Sequence, residues 1–147
     1  MAKRQNPNGL KDIAKRMGEV ETQVGFFPSA RYEDGTPVAA VAAYNEFGTP
    51  SRSFFRTTIS AEKKSWAGII RDGSKLVITG QMDLADVMEG VGLQASGDIR
   101  KKIASITQPP LKPATLKARE RRGNTSTKPL VDKRIMINSV NHIVEEK

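Results

Sequence analysis

After the break made by Asn6, Pro7, Asn8 and Gly9, the apolar residues Leu10, Ile13, Ala14 and Met17 recur at helical spacing. They predict a short amphipathic helix that ends near Gly18 and carries Lys11, Lys15 and Arg16 on its polar face. From Glu19 the period drops to two: Val20, Thr22, Val24 and Phe26 alternate with Glu21, Gln23 and Gly25, as in a half-buried strand closed by Pro28. Residues 29–37 hold Asp34, Gly35 and Pro37 and no apolar anchor beyond Tyr32, so an exposed loop or hairpin tip, mobile before assembly, is expected there. In VAAVAAYNEF, Val38, Val41, Ala42, Asn45 and Glu46 then fit a compact Ala-rich helix stopped by Gly48.

Two long helices follow. Thr49, Pro50 and Ser51 break the chain before Phe54 and Phe55, and Ile59, Trp66, Ile69, Ile70, Gly73 and Val77 trace a stripe to about residue 78, with Thr57, Thr58 and Ser60 as N-cap candidates. Beyond Gly80, Asp83 marks the next start, and Leu84, Val87, Met88, Val91, Ala95, Ile99, Ile103 and Ile106 fall three or four apart. Gln108, Pro109, Pro110 and Pro113 form an extended breaker, after which Thr115 is placed to cap a short basic helix through Arg122, and GNTSTKP returns to loop. Leu130, Val131 and Ile135 fit one or two helical turns. Val140, His142 and Val144 then alternate as a last strand, expected to pair with the strand around Val24. The expected fold class is α+β: a small antiparallel sheet packed against two long helices, with extended loops or arms, in a single domain spanning residues 1–147.

Composition narrows the function classes. With 37% hydrophobic and 27% charged residues the core is modest and the surface heavily charged. Cysteine is absent, which removes disulfides, thiolate metal sites and Cys nucleophiles together. No stretch approaches the roughly 18 apolar residues of a membrane span, and the basic N-terminus leads into no apolar signal core, so the protein is expected to stay in the cytoplasm where it is made. The net charge of +8 is unevenly placed: residues 1–16 sum to +4, residues 111–134 to +6, and the rest to −2. Such segments meet phosphate, meet an acidic protein surface, or are solvated arms.

The candidate chemistry is thin. His142, the single histidine, has no cysteine or carboxylate at metal-ligand spacing and is expected to be a half-buried strand histidine. Ser51 and Ser53 lack a nucleophile elbow and are expected to act as loop and capping residues. Asp83 and Asp86 suit a helix N-terminus. Gly90, Gly92 and Gly97 make no phosphate loop and are expected to permit a close helix contact or a kink. No catalytic residue, metal site or cofactor is expected. The basic stretch KPATLKARERR lacks aromatics for base stacking, so any nucleic-acid contact by Lys112, Lys117, Arg119, Arg121 and Arg122 would be to the backbone; a solvated arm or subunit contact is the alternative. In EFGTPSRSFFR the density of Arg and Phe matches the anchors of protein interfaces, and Arg52, Phe54, Phe55 and Arg56 are the expected subunit-contact residues; the competing reading is that the phenylalanines enter the core.

Two segments resemble a known family. VAAYNEFGTPSRSFFRTTI resembles the "alanine-rich helix, E-F-G-T, Arg-x-Phe-Phe-Arg" stretch of small neck and tail-completion proteins of long-tailed phages. LKPATLKARERRGNTSTKPLVDKRIMINSVNHIV resembles that family's ending, "Pro-x-Thr, basic helix, small-residue loop, Pro-Leu-x-Asp, then Asn-Ser-Val". The matches cover 53 of the 147 residues, just over a third of the chain, in the family's order. One departure is local: the family often continues Pro-Leu-x-Asp with Thr-Gly, where this chain has Lys133 and Arg134. The resemblance implies a non-enzymatic virion component, made in the host cytoplasm, that forms a homo-oligomeric ring around the DNA channel. The implied neighbours are adjacent neck, tail-terminator or tail-tube proteins, with nonspecific contact to genomic DNA and none to membrane. Rings need contacts between unlike patches, for which segments 29–37, 49–56 and 107–129 are the candidate arms. A non-sequence-specific nucleic-acid-binding accessory protein is the alternative from another class.

Overall fold

A computed structural model of the chain describes residues 7–127 and 134–147. In chain order these form α1 (Pro7–Glu19), β1 (Val20–Phe26), α2 (Val38–Phe47), α3 (Phe55–Ile78), α4 (Leu84–Ser105), α5 (Pro113–Arg121), α6 (Ile135–Ser139) and β2 (Val140–Glu146). The fold is α+β. β1 and β2 pair antiparallel, Val24 opposite His142 and Phe26 opposite Val140, so the first and last strands close the chain on itself.

Three layers result: sheet, α4, then α3. The stripe of α4 is buried as its spacing predicts, through Leu84, Val87, Val91, Ala95, Ile99 and Ile103. Two glycines set how closely its neighbours approach. A Cβ on Gly73 of α3 would lie 2.5 Å from Val87 Cγ1, and one on Gly92 of α4 would lie 2.5 Å from the His142 ring and 2.9 Å from Thr22 Cγ2. Gly92 is therefore the close contact expected among the three glycines of α4, whereas Gly90 and Gly97 face open space. The Thr22 hydroxyl donates to the Met88 carbonyl at 2.9 Å, and the Trp66 indole donates to Asp98 at 2.8 Å, fixing sheet and α3 to opposite sides of α4.

α3 meets the strands through Phe55, at its first residue, and is otherwise covered on one side only. Ile59, expected on its buried stripe, is consequently exposed, and Thr58 is the buried residue at this end of the helix. The core concentrates where the C-terminal half of α4 meets the start of α3, α2, α6 and the Phe26–Val140 end of the sheet, around Val38, Ala42, Phe54, Ile99, Ile103, Met136 and Val140. Phe26, Phe54 and Phe55 pack mutually, with centroids 5.2–6.1 Å apart.

Of the two loop regions, one follows its expectation and one needs correction. Residues 29–37 form the expected hairpin tip, closed by an antiparallel bridge between Arg31 and Pro37: Tyr32 and Thr36 bond through their backbones, Asp34 accepts from the Thr36 N–H at 2.9 Å, Gly35 takes a φ of 86°, and Ala30 and Tyr32 pack on the core. The basic helix starts at Pro113, two residues before Thr115, because proline at the first helical position has the required φ and no N–H to satisfy. It ends at Arg121, and Gly123 just beyond it, with a φ of 78°, lets the Asn124 N–H return to the Arg119 carbonyl at 2.9 Å. Leu130, Val131, Lys128 and Lys133 lie outside the described residues.

Candidate functional site

The segment EFGTPSRSFFR folds into a clasp organised by one side chain, Glu46. α3 opens without a side-chain cap of its own; Thr57, Thr58 and Ser60 lie inside the helix. The unpaired N–H groups of its first turn are instead met by the carboxylate at the end of α2. Glu46 accepts from the backbone N–H of Phe54 at 2.8 Å, Phe55 at 3.0 Å and Arg56 at 3.0 Å, from the Ser53 hydroxyl at 2.7 Å, and from Arg56 Nε at 2.9 Å. An anion at a helix N-terminus is favoured by the helix dipole and by the orphan donors there. Burial pushes the carboxyl up, yet the Ser53 hydroxyl, the Phe54 and Arg56 N–H groups and the Arg56 guanidinium outweigh it and bring the pKa down to about 2.

The rest of the motif shapes the turn. A Cβ at Gly48 would collide with the Tyr44 carbonyl oxygen, so glycine is required where the chain leaves α2. Ser51 Oγ and Arg56 Nη2 donate to the Glu46 carbonyl at 2.8 and 2.7 Å. Ser51 and Ser53 are thus the loop and capping residues their surroundings suggested. Arg52 reaches away from the clasp and donates to the Pro109 carbonyl at 3.0 Å, tying down the approach to α5.

This geometry redistributes the expected subunit-contact residues. Phe54 has no exposed surface and is a core residue; it cannot meet another chain while the fold is intact. Phe55 is largely committed to Phe26 and Phe54. Arg52 is used internally. Arg56 keeps an exposed guanidinium face, which lies over the Phe47 ring at 4.8 Å. The aromatic surface that the motif presents to solvent belongs to α2: Tyr44 and Phe47, three residues apart, are each 70% exposed. Helical spacing from the buried Val38, Ala42 and Glu46 could have found them, since Tyr44 and Phe47 fall on the opposite side.

Among the basic residues of the arm, Lys112, Lys117, Arg121 and Arg122 are exposed. Arg119 is not: it is 4% exposed and donates to the Ser126 carbonyl at 3.2 Å, holding the loop after α5 in place of forming an outward contact. Among the described residues α5 makes little contact with the other elements, and the Arg52–Pro109 hydrogen bond secures the chain that leads into it.

His142 sits between Glu89 and Ser96 on α4, Nε2 at 2.7 Å from Glu89 Oε1 and Nδ1 at 3.5 Å from Ser96 Oγ. A serine, a histidine and a carboxylate in line suggest nucleophilic chemistry, but Ser96 is 1% exposed and packed within the sheet–α4 layer. No substrate carbonyl reaches it, and the row acts as a polar tie between sheet and helix. Among the described residues no group of His, Cys, Asp or Glu could hold a metal ion, and no helix is long and apolar enough to cross a membrane. Comparison with family models, curated proteins and solved structures finds no match to this chain.

Proposed function

We propose that the chain is a non-enzymatic structural protein of a tailed-phage particle, forming a homo-oligomeric ring in the neck or at the head-proximal end of the tail. The observation that carries this reading is the aromatic ledge of Tyr44 and Phe47 with Arg56 stacked on it. Tyrosine, phenylalanine and arginine exposed together on a rigid helix are the residue types that dominate binding energy at protein interfaces. The resemblance to neck and tail-completion proteins is its second support. The chain departs from that family where it often carries Thr-Gly after Pro-Leu-x-Asp: here Arg134 stands in the glycine's place, with a φ of 58°, a conformation that glycine takes without cost.

The exposed cations of α5 favour a second reading, a nucleic-acid-binding accessory protein that contacts phosphates without reading sequence. The two differ in what the free chain does. Light scattering on the purified protein, alone and mixed with phage particle fractions, should show stoichiometric uptake into particles if it is a ring subunit. Tight, salt-dependent DNA binding without particle association would replace the ring reading with the second one.

A further inference from the structure

α4 has one side that no other element covers. Val87 and Asp98 meet α3, and Met88 and Gly92 meet the sheet. The remaining side carries Asp86, Gly90, Leu93, Gly97 and Lys101, spaced four, three, four and four residues apart, which keeps all five on one face of the helix. Leu93 is 59% exposed, more than any other large aliphatic side chain among the described residues. A Cβ added at Gly90 or Gly97 would meet nothing within 4 Å, so the helix surface on either side of Leu93 is open down to the backbone.

The charges along this face run from negative to positive. Asp86 and Glu89 lie in the N-terminal half of α4, Arg100 and Lys101 in the C-terminal half. The His142 ring holds Glu89 and the Val140 carbonyl holds Arg100, which fixes both on the flank beside the sheet. Among the described residues no ion pair engages the side chain of Asp86 or of Lys101. Asp86 and Lys101 lie equally far on either side of the midpoint between Leu93 and Gln94, and so do Gly90 and Gly97. An antiparallel copy of the helix therefore sets Lys101 against Asp86, Arg100 within a turn of Glu89, and glycine opposite glycine, whereas a parallel copy sets like charges together.

We infer that two copies of the chain pair through this face, their α4 helices antiparallel and crossing at Leu93. Each Leu93 enters the gap between Gly90 and Gly97 of the other helix, and the crossing can reach the near end of the roughly 8–10 Å range of interaxial distances because no Cβ stands there. Any other partner would have to present an apolar centre flanked by charges in the reverse order; a second copy does so by symmetry. The contact joins like patches, so it closes at two chains, and it uses none of the ledge residues Tyr44, Phe47 and Arg56. It stands independently of the ring reading. A single helix face belongs with the weak interfaces that bury less than about 1,200 Å² in total, so the pair forms at high protein concentration.

The test is sedimentation equilibrium of the full chain at concentrations up to roughly 1 mM. The unmodified chain should pass from monomer to dimer, and added salt should weaken the dimer by screening its charge pairs. Leu93→Glu should stay monomeric with an unchanged far-UV circular dichroism spectrum, since that side chain stands in water. Asp86→Lys and Lys101→Glu should each be monomeric alone, because each homodimer sets like charges together twice. Combined, they should form a one-to-one mixed dimer in which both pairs are opposite in sign. These two variants alter exposed positions only and keep Leu93, so they decide the matter even where Leu93→Glu unfolds the chain. An unmodified chain that stays monomeric over the whole range overturns the inference. So does a dimer that survives Leu93→Glu, or a mixture of the two charge variants that associates no better than either alone.

Discussion

Replacing Glu46 by Gln keeps the size of the side chain, removes its charge and turns one of its two acceptor oxygens into an N–H donor, which then faces either the Phe54 and Phe55 N–H groups or the Ser53 hydroxyl and the Arg56 donors. The cost can be set from linkage. A glutamate that titrates at 4.5 when free and at about 2 in the fold contributes roughly 3 kcal/mol to folding near neutral pH. Since the folded value is the lower one, that contribution is fully present above pH 4.5 and disappears as pH falls toward 2. The assay is urea unfolding of both proteins at several pH values between 7 and 2. The difference between them should be about 2–3 kcal/mol at pH 7, a large share of the ordinary 5–15 kcal/mol of a domain, and should shrink towards zero near pH 2. Other carboxylates titrate in both proteins and cancel from the difference. A gap below about 1 kcal/mol at pH 7, or one that does not change between pH 6 and pH 2.5, would refute the assignment of Glu46 as the cap of α3.

Three further outcomes are expected. Gly92→Ala should cost about 1–3 kcal/mol because its methyl group meets His142 and Thr22, whereas Gly90→Ala, with open space around it, should gain up to about 1 kcal/mol; thermal unfolding of the two variants compares them directly. Phe54→Ala should lower stability by about 3–5 kcal/mol through an unfilled core, while Phe47→Ala should leave far-UV circular dichroism and melting nearly unchanged and abolish particle incorporation. Loss of folding in Phe47→Ala would show the ledge to be structural. Arg134→Gly should raise stability by about 0.5–1 kcal/mol by relieving a left-handed backbone, and a lower midpoint in denaturant would count against that.

The fold was legible wherever one period governed one face. Leu84, Val87, Val91, Ala95, Ile99 and Ile103 are buried because α4 is covered on both sides, so its spacing alone locates it. The strands were readable from alternation, and that the last strand pairs with the one around Val24 followed from there being few strands to choose from, whereas the register of Val24 opposite His142 comes from the structure. α3 was harder. Its apolar stripe includes Ile59, but a helix packed against a single neighbour leaves part of such a stripe in water. The clasp was least legible, since Glu46 acts on backbone N–H groups eight to ten residues away, and backbone donors carry no residue identity. The richness of EFGTPSRSFFR in Arg and Phe therefore suits both a contact surface and a core entry; Phe54 takes the core reading, and Arg56 belongs to both clasp and ledge. Arg119 is a similar case: its place in a basic run suggested an outward charge, and its bond to the Ser126 carbonyl depends on a loop that composition does not define.

Arg56 binds Glu46 with one edge of its guanidinium and covers Phe47 with its face. The ledge is thereby ordered before any partner arrives. Immobilising a flexible side chain on association costs about 0.5–1.5 kcal/mol each, and a surface whose arginine is already held by a buried carboxylate avoids that loss. The same carboxylate that starts α3 thus sets the conformational entropy of the outer face. A modest patch of two aromatic rings and one cation can then bind more tightly than its area alone would suggest.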